Sequence, residues 1–138
     1  MSKSESVTAT LGSEDYYTRV DVDQFDFHVD EPLTLGGGDK APGPFGYVLG
    51  SLAACTAITI KMYAQRKSWD LGLIKVSADF AYISDENGGN EQIIEKIIHI
   101  ENASQLDDSQ KKRLLVISQK CPVSKMLHGG IGMKERII

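Results

Sequence analysis

Cysteine is scarce in this chain. There are two, Cys55 and Cys121, in 138 residues. No C-x-x-C pair exists, so the usual ligand spacing of a structural zinc site is missing. Positive charge is not in excess either. The net charge is −4 and the pI about 5.3. An acidic chain without a basic cluster is a poor partner for nucleic acid or an anionic membrane. No long apolar run is present: the most apolar one, Phe45 to Ile60, falls short of the ~20 residues that span a bilayer. The opening MSKSESVTAT lacks the apolar core of a secretory leader. There is no internal repeat and no low-complexity tract. A phosphate loop is also missing, because Gly36-Gly37-Gly38-Asp39-Lys40 departs from G-x-x-x-x-G-K-[ST]. With 41% hydrophobic and 25% charged residues, the expectation is one globular domain over residues 1–138, in the cytoplasm. Thiols there stay reduced, so two lone cysteines are free, metal-bound or catalytic rather than a structural staple.

What the chain does have is a stretch from Ala41 to Trp69, APGPFGYVLGSLAACTAITIKMYAQRKSW. Pro44 suits the first turn of a helix, and Val48, Leu52, Cys55, Thr59 and Met62 recur at helical steps. The predicted helix runs from Pro44 to Lys67. Its flank is apolar too, through Leu49, Ala53, Ala57 and Ile60. A helix apolar nearly all round must be buried, and burial of that length in so small a domain calls for a second subunit.

Strands are expected before it, at Val7–Leu11, Tyr16–Asp23 and Phe25–Val29, from alternation of apolar and polar residues. Ile74–Ile83 reads as another strand, followed by a turn at Asn87-Gly88-Gly89; Gln92–Glu101 is ambiguous between helix and strand, and its β-branched content and the turn before it favour strand. Asp107, with Gln110 three residues on, reads as a capping box opening a second helix. Leu114, Ile117, Ser118 and Cys121 share its face. Pro122 stops it and begins a short turn of helix to Leu127, with Ile131–Ile138 as a closing strand. The fold class is α+β: an N-terminal antiparallel β-meander, a long central helix, β-strands, a second helix and a C-terminal strand.

A buried cysteine in an apolar helix ordinarily packs as a small hydrophobe. Two features point past that for this pair. Cys55 lies on a stripe with Thr59, and Cys121, just before Pro122, is placed to cap a helix whose dipole stabilises a thiolate. Cys55, in mid-helix, needs a nearby cation to become reactive. A metal site from Cys55, Cys121 and His128 is a weaker alternative.

The stretch GPFGYVLGSLAACTAITIKMYAQRKSW, with KCPVSKML further on, resembles the OsmC/Ohr family of peroxide-reducing proteins. It looks most like the subfamily with M-Y-A-x-R-K-x-W after the first cysteine, here Met62 to Trp69. The resemblance covers the chain from Asp30 to its end. It implies an intertwined homodimer with the OsmC-like fold and no cofactor, metal, nucleic-acid or membrane partner. It implies that Cys55 is the peroxidatic thiolate, which attacks an organic hydroperoxide and becomes a sulfenic acid, and that Cys121 resolves it as a disulfide. A lipoylated or thioredoxin-like dithiol protein would close the cycle. An arginine activates the sulfur in such proteins, and Arg19 is the best match, ahead of Arg66, His28 and Glu31. The glutamate that orients that arginine is missing, since Phe45, Gly46 and Tyr47 stand in its place. A non-catalytic dimeric module that binds a small ligand or senses redox state is therefore the alternative.

Overall fold

The computed structural model describes residues 6–138. The chain divides into two compact units, residues 1–48 and 49–138, with the boundary inside its longest helix.

In the first unit, β1 (Val7–Leu11), β2 (Thr18–Val22) and β3 (Phe25–Val29) pair antiparallel in the order β1-β2-β3. Val20 stands opposite Ala9 and Phe27, and it is the buried residue of β2. The second strand is shorter than the alternation suggests: Tyr16 and Tyr17 belong to the turn before it. After β3 the chain folds around Asp30. That carboxylate is buried and accepts the backbone N–H groups of Glu31 at 2.8 Å and Lys40 at 3.1 Å. Burial by itself would raise its pKa. The N–H donors of Glu31, Lys40 and Gly38, with the Lys40 charge, outweigh that and hold it below the usual carboxylate range. The glycine run serves this loop. Gly36 closes the short 3-10 turn Leu33–Leu35 with φ of 89°, and a Cβ on Gly37 would fall 2.0 Å from the carbonyl oxygen of Glu31.

The long helix α1 spans Pro44–Lys67, as the sequence predicts. Its buried residues in this chain are Leu52, Cys55, Thr56, Ile60, Tyr63 and Ala64. The stripe expected through Val48 and Met62 is therefore rotated: both of those are exposed, and Thr56, Ile60 and Tyr63 take the inner positions. Sequence spacing could not choose between faces because both are apolar. Among the described residues, α1 is the one helix long and apolar enough to cross a membrane, and only 22% of its most apolar window is buried inside the chain.

In the second unit, β4 (Ile74–Ser84) and β5 (Asn90–Ile100) form one long antiparallel hairpin. Its turn is tied by Asp85, whose carboxylate accepts from the N–H of Asn87 and Gly89. Helix α2 (Asp108–Gln119) opens with the expected capping box between Asp107 and Gln110. Helix α3 (Pro122–Gly129) starts one residue after Cys121. Two clusters make the core. Ile60, Tyr63, Ala64, Leu71, Leu106, Leu114 and Ile117 pack together, with Trp69 beside them. Leu52, Cys55 and Cys121 form the other, against Ala78, Ile94 and Val123. The expected closing strand is not formed: residues 131–138 are exposed and lie in no ladder. A strand exists only where another offers its edge, and no edge among the described residues meets this one.

Candidate active site

The site grows from three elements of the second unit. Helix α1 supplies Cys55 and Thr56, the start of α3 supplies Cys121 and Ser124, and β5 supplies Lys96. Cys55 and Cys121 are both free thiols, both buried, packed in one cluster and close enough to influence each other's acidity.

Cys121 is the N-cap of α3. Its sulfur accepts the backbone N–H of Ser124 at 3.3 Å, as an N-cap oxygen would. The hydroxyl of Thr56 lies 3.7 Å from the same sulfur. That hydroxyl has one proton to give and two acceptors in reach, the other being the Leu52 carbonyl at 2.9 Å. Its oxygen meanwhile accepts from Lys96 Nζ at 3.1 Å. Lys96 Nζ also donates to the carbonyl of Ser118 at 2.9 Å, near the end of α2, and to Ser124 Oγ at 3.4 Å. All three acceptors are neutral, so the ammonium charge is left to act on the neighbouring sulfur.

The two thiols are pushed apart in acidity. Burial is the largest influence on each and raises both. At Cys121 it is outweighed by the Ser124 N–H, the Cys55 thiol, the Thr56 hydroxyl and the Lys96 charge, and the pKa falls below the ordinary thiol value. At Cys55 the Val123 N–H and the Thr59 hydroxyl oppose the rise. Burial and the proximity of Cys121 prevail, and the pKa goes up. Cys121 is the more acidic thiol of the pair; Cys55, expected as the thiolate, is the weaker acid because burial and Cys121 oppose its ionisation.

A cavity of about 770 Å³ opens beside the sulfurs. It shares Leu52 and Ile94 with their cluster and Lys96 and Ser124 with their hydrogen bonds. Phe80, Ile93 and Leu127 add apolar wall; Glu91, Gln92 and His128 add polar rim. Among the described residues no three His, Cys, Asp or Glu are grouped to hold a metal.

Arg19 sits on β2 in the first unit. Its side chain is 55% exposed and its guanidinium pairs with Asp21 at 2.9 Å and Asp26 at 3.9 Å. Of the weaker candidates, His28 stacks on Tyr17, and Arg66 stands over the ring of Tyr63. The residue that sequence reasoning missed is Lys96. A signal was present: in QIIEKIIHIE it is a lysine at an inward position of an alternating strand, and a long cation rarely points inward without a task.

The profile of the OsmC-like protein family matches residues 37–136. The chain belongs to that family. Solved structures agree on the fold. An OsmC organic hydroperoxide resistance protein from Legionella pneumophila superposes with a TM-score of 0.68 at 18% identity, covering 94% of this chain and 92% of its own. An OsmC-like protein from Mycoplasma pneumoniae gives 0.69 at 24% identity, covering 94% and 91%. An organic hydroperoxide resistance protein from Elizabethkingia anophelis, with thiocyanate bound, gives 0.69 at 23%, covering 95% and 92%. No curated protein sequence matches this OsmC-like chain significantly.

Proposed function

We propose that this OsmC-like protein is a thiol peroxidase that reduces organic hydroperoxides to alcohols, as a cytoplasmic homodimer in oxidative-stress defence. The observation that carries the reading is the buried Cys55–Cys121 thiol pair, set apart in acidity and packed next to a cavity walled in part by Leu52, Phe80, Ile93, Ile94 and Leu127. The names of the hydroperoxide resistance proteins that share the fold support the same class of chemistry.

Cys55 is the sulfur oxidised first, because it is the more open of the two, 5% exposed against 0%. As its sulfur attacks the hydroperoxide, the Cys121 thiolate takes its proton. The O–O bond breaks, the alkoxide leaves and receives that proton back from Cys121, and Cys55 becomes a sulfenic acid. The Cys121 thiolate then attacks the Cys55 sulfur. Hydroxide leaves, is protonated by solvent to water, and a disulfide remains. A lipoylated or thioredoxin-like dithiol protein reduces it. The apolar walls of the cavity favour an organic peroxide over hydrogen peroxide. Arg19 is the cation that the family resemblance assigns to Cys55, and in this reading it leaves its aspartates for that role in the assembled dimer.

One specific observation favours a non-catalytic ligand-binding or redox-sensing module instead: burial pushes the Cys55 thiol up, away from reactivity. The test is turnover of cumene hydroperoxide and of hydrogen peroxide with a dithiol reductant. The expected result is faster reduction of cumene hydroperoxide, lost in Cys55→Ala, with a sulfenic acid trapped on Cys55 in Cys121→Ala. Arg19→Gln is expected to slow the first step. Equal or faster reduction of hydrogen peroxide would overturn the substrate assignment. No reduction of either, with Cys55 inert to alkylation at neutral pH, would favour the binding module.

A further inference from the structure

Closing the cycle requires an external thiolate to attack one sulfur of the Cys55–Cys121 disulfide and expel the other. We propose that the disulfide is opened at Cys55, that Cys121 is the leaving thiolate, and that Lys96, with Thr56 and Ser124, is the positioning residue that fixes this direction. The inference rests on the thiol-pair reading above but not on which peroxide the protein reduces.

The reduced structure shows the state that the leaving sulfur arrives in. Cys121 enters a place already built for a negative charge: the Ser124 N–H at the start of α3, the Thr56 hydroxyl at 3.7 Å, and the Lys96 ammonium bonded to both Thr56 and Ser124. The titratable groups around it are Cys55 from α1 and Lys96 from β5. The other packed elements present uncharged residues, Ala78 from β4 and Ser118 from α2. Cys55 has the Val123 N–H and the Thr59 hydroxyl, but among the described residues no cation acts on its sulfur as Lys96 acts on Cys121. A sulfur that leaves as a stabilised thiolate leaves faster, so exchange runs toward expulsion of Cys121. Access agrees in direction: Cys55 is buried but not wholly so, whereas Cys121 has no exposed surface. The electrons balance simply. The attacking thiolate forms a bond to the Cys55 sulfur, the Cys55–Cys121 bond breaks, and its pair stays on Cys121. The second thiol of the donor then attacks the mixed disulfide, releasing Cys55, which is protonated by solvent.

The experiment starts from full-length protein oxidised with diamide, so it does not depend on peroxide turnover. The disulfide form is mixed with excess glutathione, quenched in acid within a single turnover, and mapped by peptide mass. Glutathione on Cys55 is expected. Glutathione on Cys121 would overturn the proposal, as would failure of diamide to join the two cysteines. Glutathione on Cys55 in a protein that turns over no peroxide would sink the peroxidase reading and leave this one standing. Lys96→Met should slow the opening about tenfold, the scale of one charge-assisted hydrogen bond, and Lys96→Arg should restore it. In a Cys55→Ala background, Lys96→Met should also raise the pH at which Cys121 ionises, read as thiolate absorbance. A Lys96 with only a structural role would lower stability and leave that pH unmoved.

Discussion

At the scale of single residues, the chemistry turns on a difference between two like side chains. Cys55 and Cys121 sit in one cluster, yet one is raised and the other lowered in pKa. Titrating the thiols should therefore give two steps, one on each side of the ordinary thiol value. The lower step should vanish in Cys121→Ala and the upper in Cys55→Ala, and a single step near the ordinary value would contradict the assignment. The sign follows from deprotonation: as pH rises, Cys121 gains its charge first, in the folded state before the unfolded one. That ionisation adds stability between the lowered and the ordinary pKa, and the contribution is lost as pH falls through the lowered value. Much of this was legible in the sequence. The Cys-Pro order of Cys121 and Pro122 points to an N-cap sulfur whose acidity the helix raises, and Cys121 is that N-cap. A lysine among the isoleucines of β5 could be noticed, but its partners could not be read, because nothing local says that it meets a junction between two helices.

At the scale of elements, capping and turn chemistry were the most readable. Asp107 and Gln110 close their box, the Asn87-Gly88-Gly89 turn joins β4 to β5, and α1 has the expected ends. The M-Y-A-x-R-K-x-W motif proves to be packing. Tyr63 and Ala64 are buried, Trp69 meets Tyr63 edge-on, and Arg113 of α2 donates to the Tyr63 hydroxyl. In the glycine run that is no phosphate loop, Gly37 is needed because its backbone passes against Glu31. Gly37→Ala should cost about 1–3 kcal/mol, the scale of forcing a methyl group into filled space, measured by denaturant unfolding. Gly12→Ala, where a Cβ meets nothing, is the control and should cost little. The closing strand failed for a reason of the opposite kind. Alternation in residues 131–138 describes a strand's faces but cannot supply its neighbour.

At the scale of the whole molecule, the chain leaves too much apolar surface in water. Ile58 and Met62 on α1 are 46% and 49% exposed, with Leu115 of α2 more so. A second copy covering these residues is the arrangement the proposal requires. Sedimentation should find a dimer, and Ile58→Glu should shift it toward monomer. A wild-type monomer at micromolar concentration would remove the dimeric part of the proposal. A helix apolar on every side is what makes a partner the expectation from the sequence. Which side the chain covers by itself was not, because both faces carry residues of similar character.

The β4–β5 hairpin places Lys96, and side chains along a strand point alternately to opposite faces. Adding or deleting one residue at the 85–89 turn would shift the ladder by a step. Either Glu95 or Ile97 would then occupy the lysine's place, an anion or a hydrocarbon where the cation had been. The redox behaviour of two sulfurs held on helices would thus be rewritten by an edit to a loop that touches neither of them.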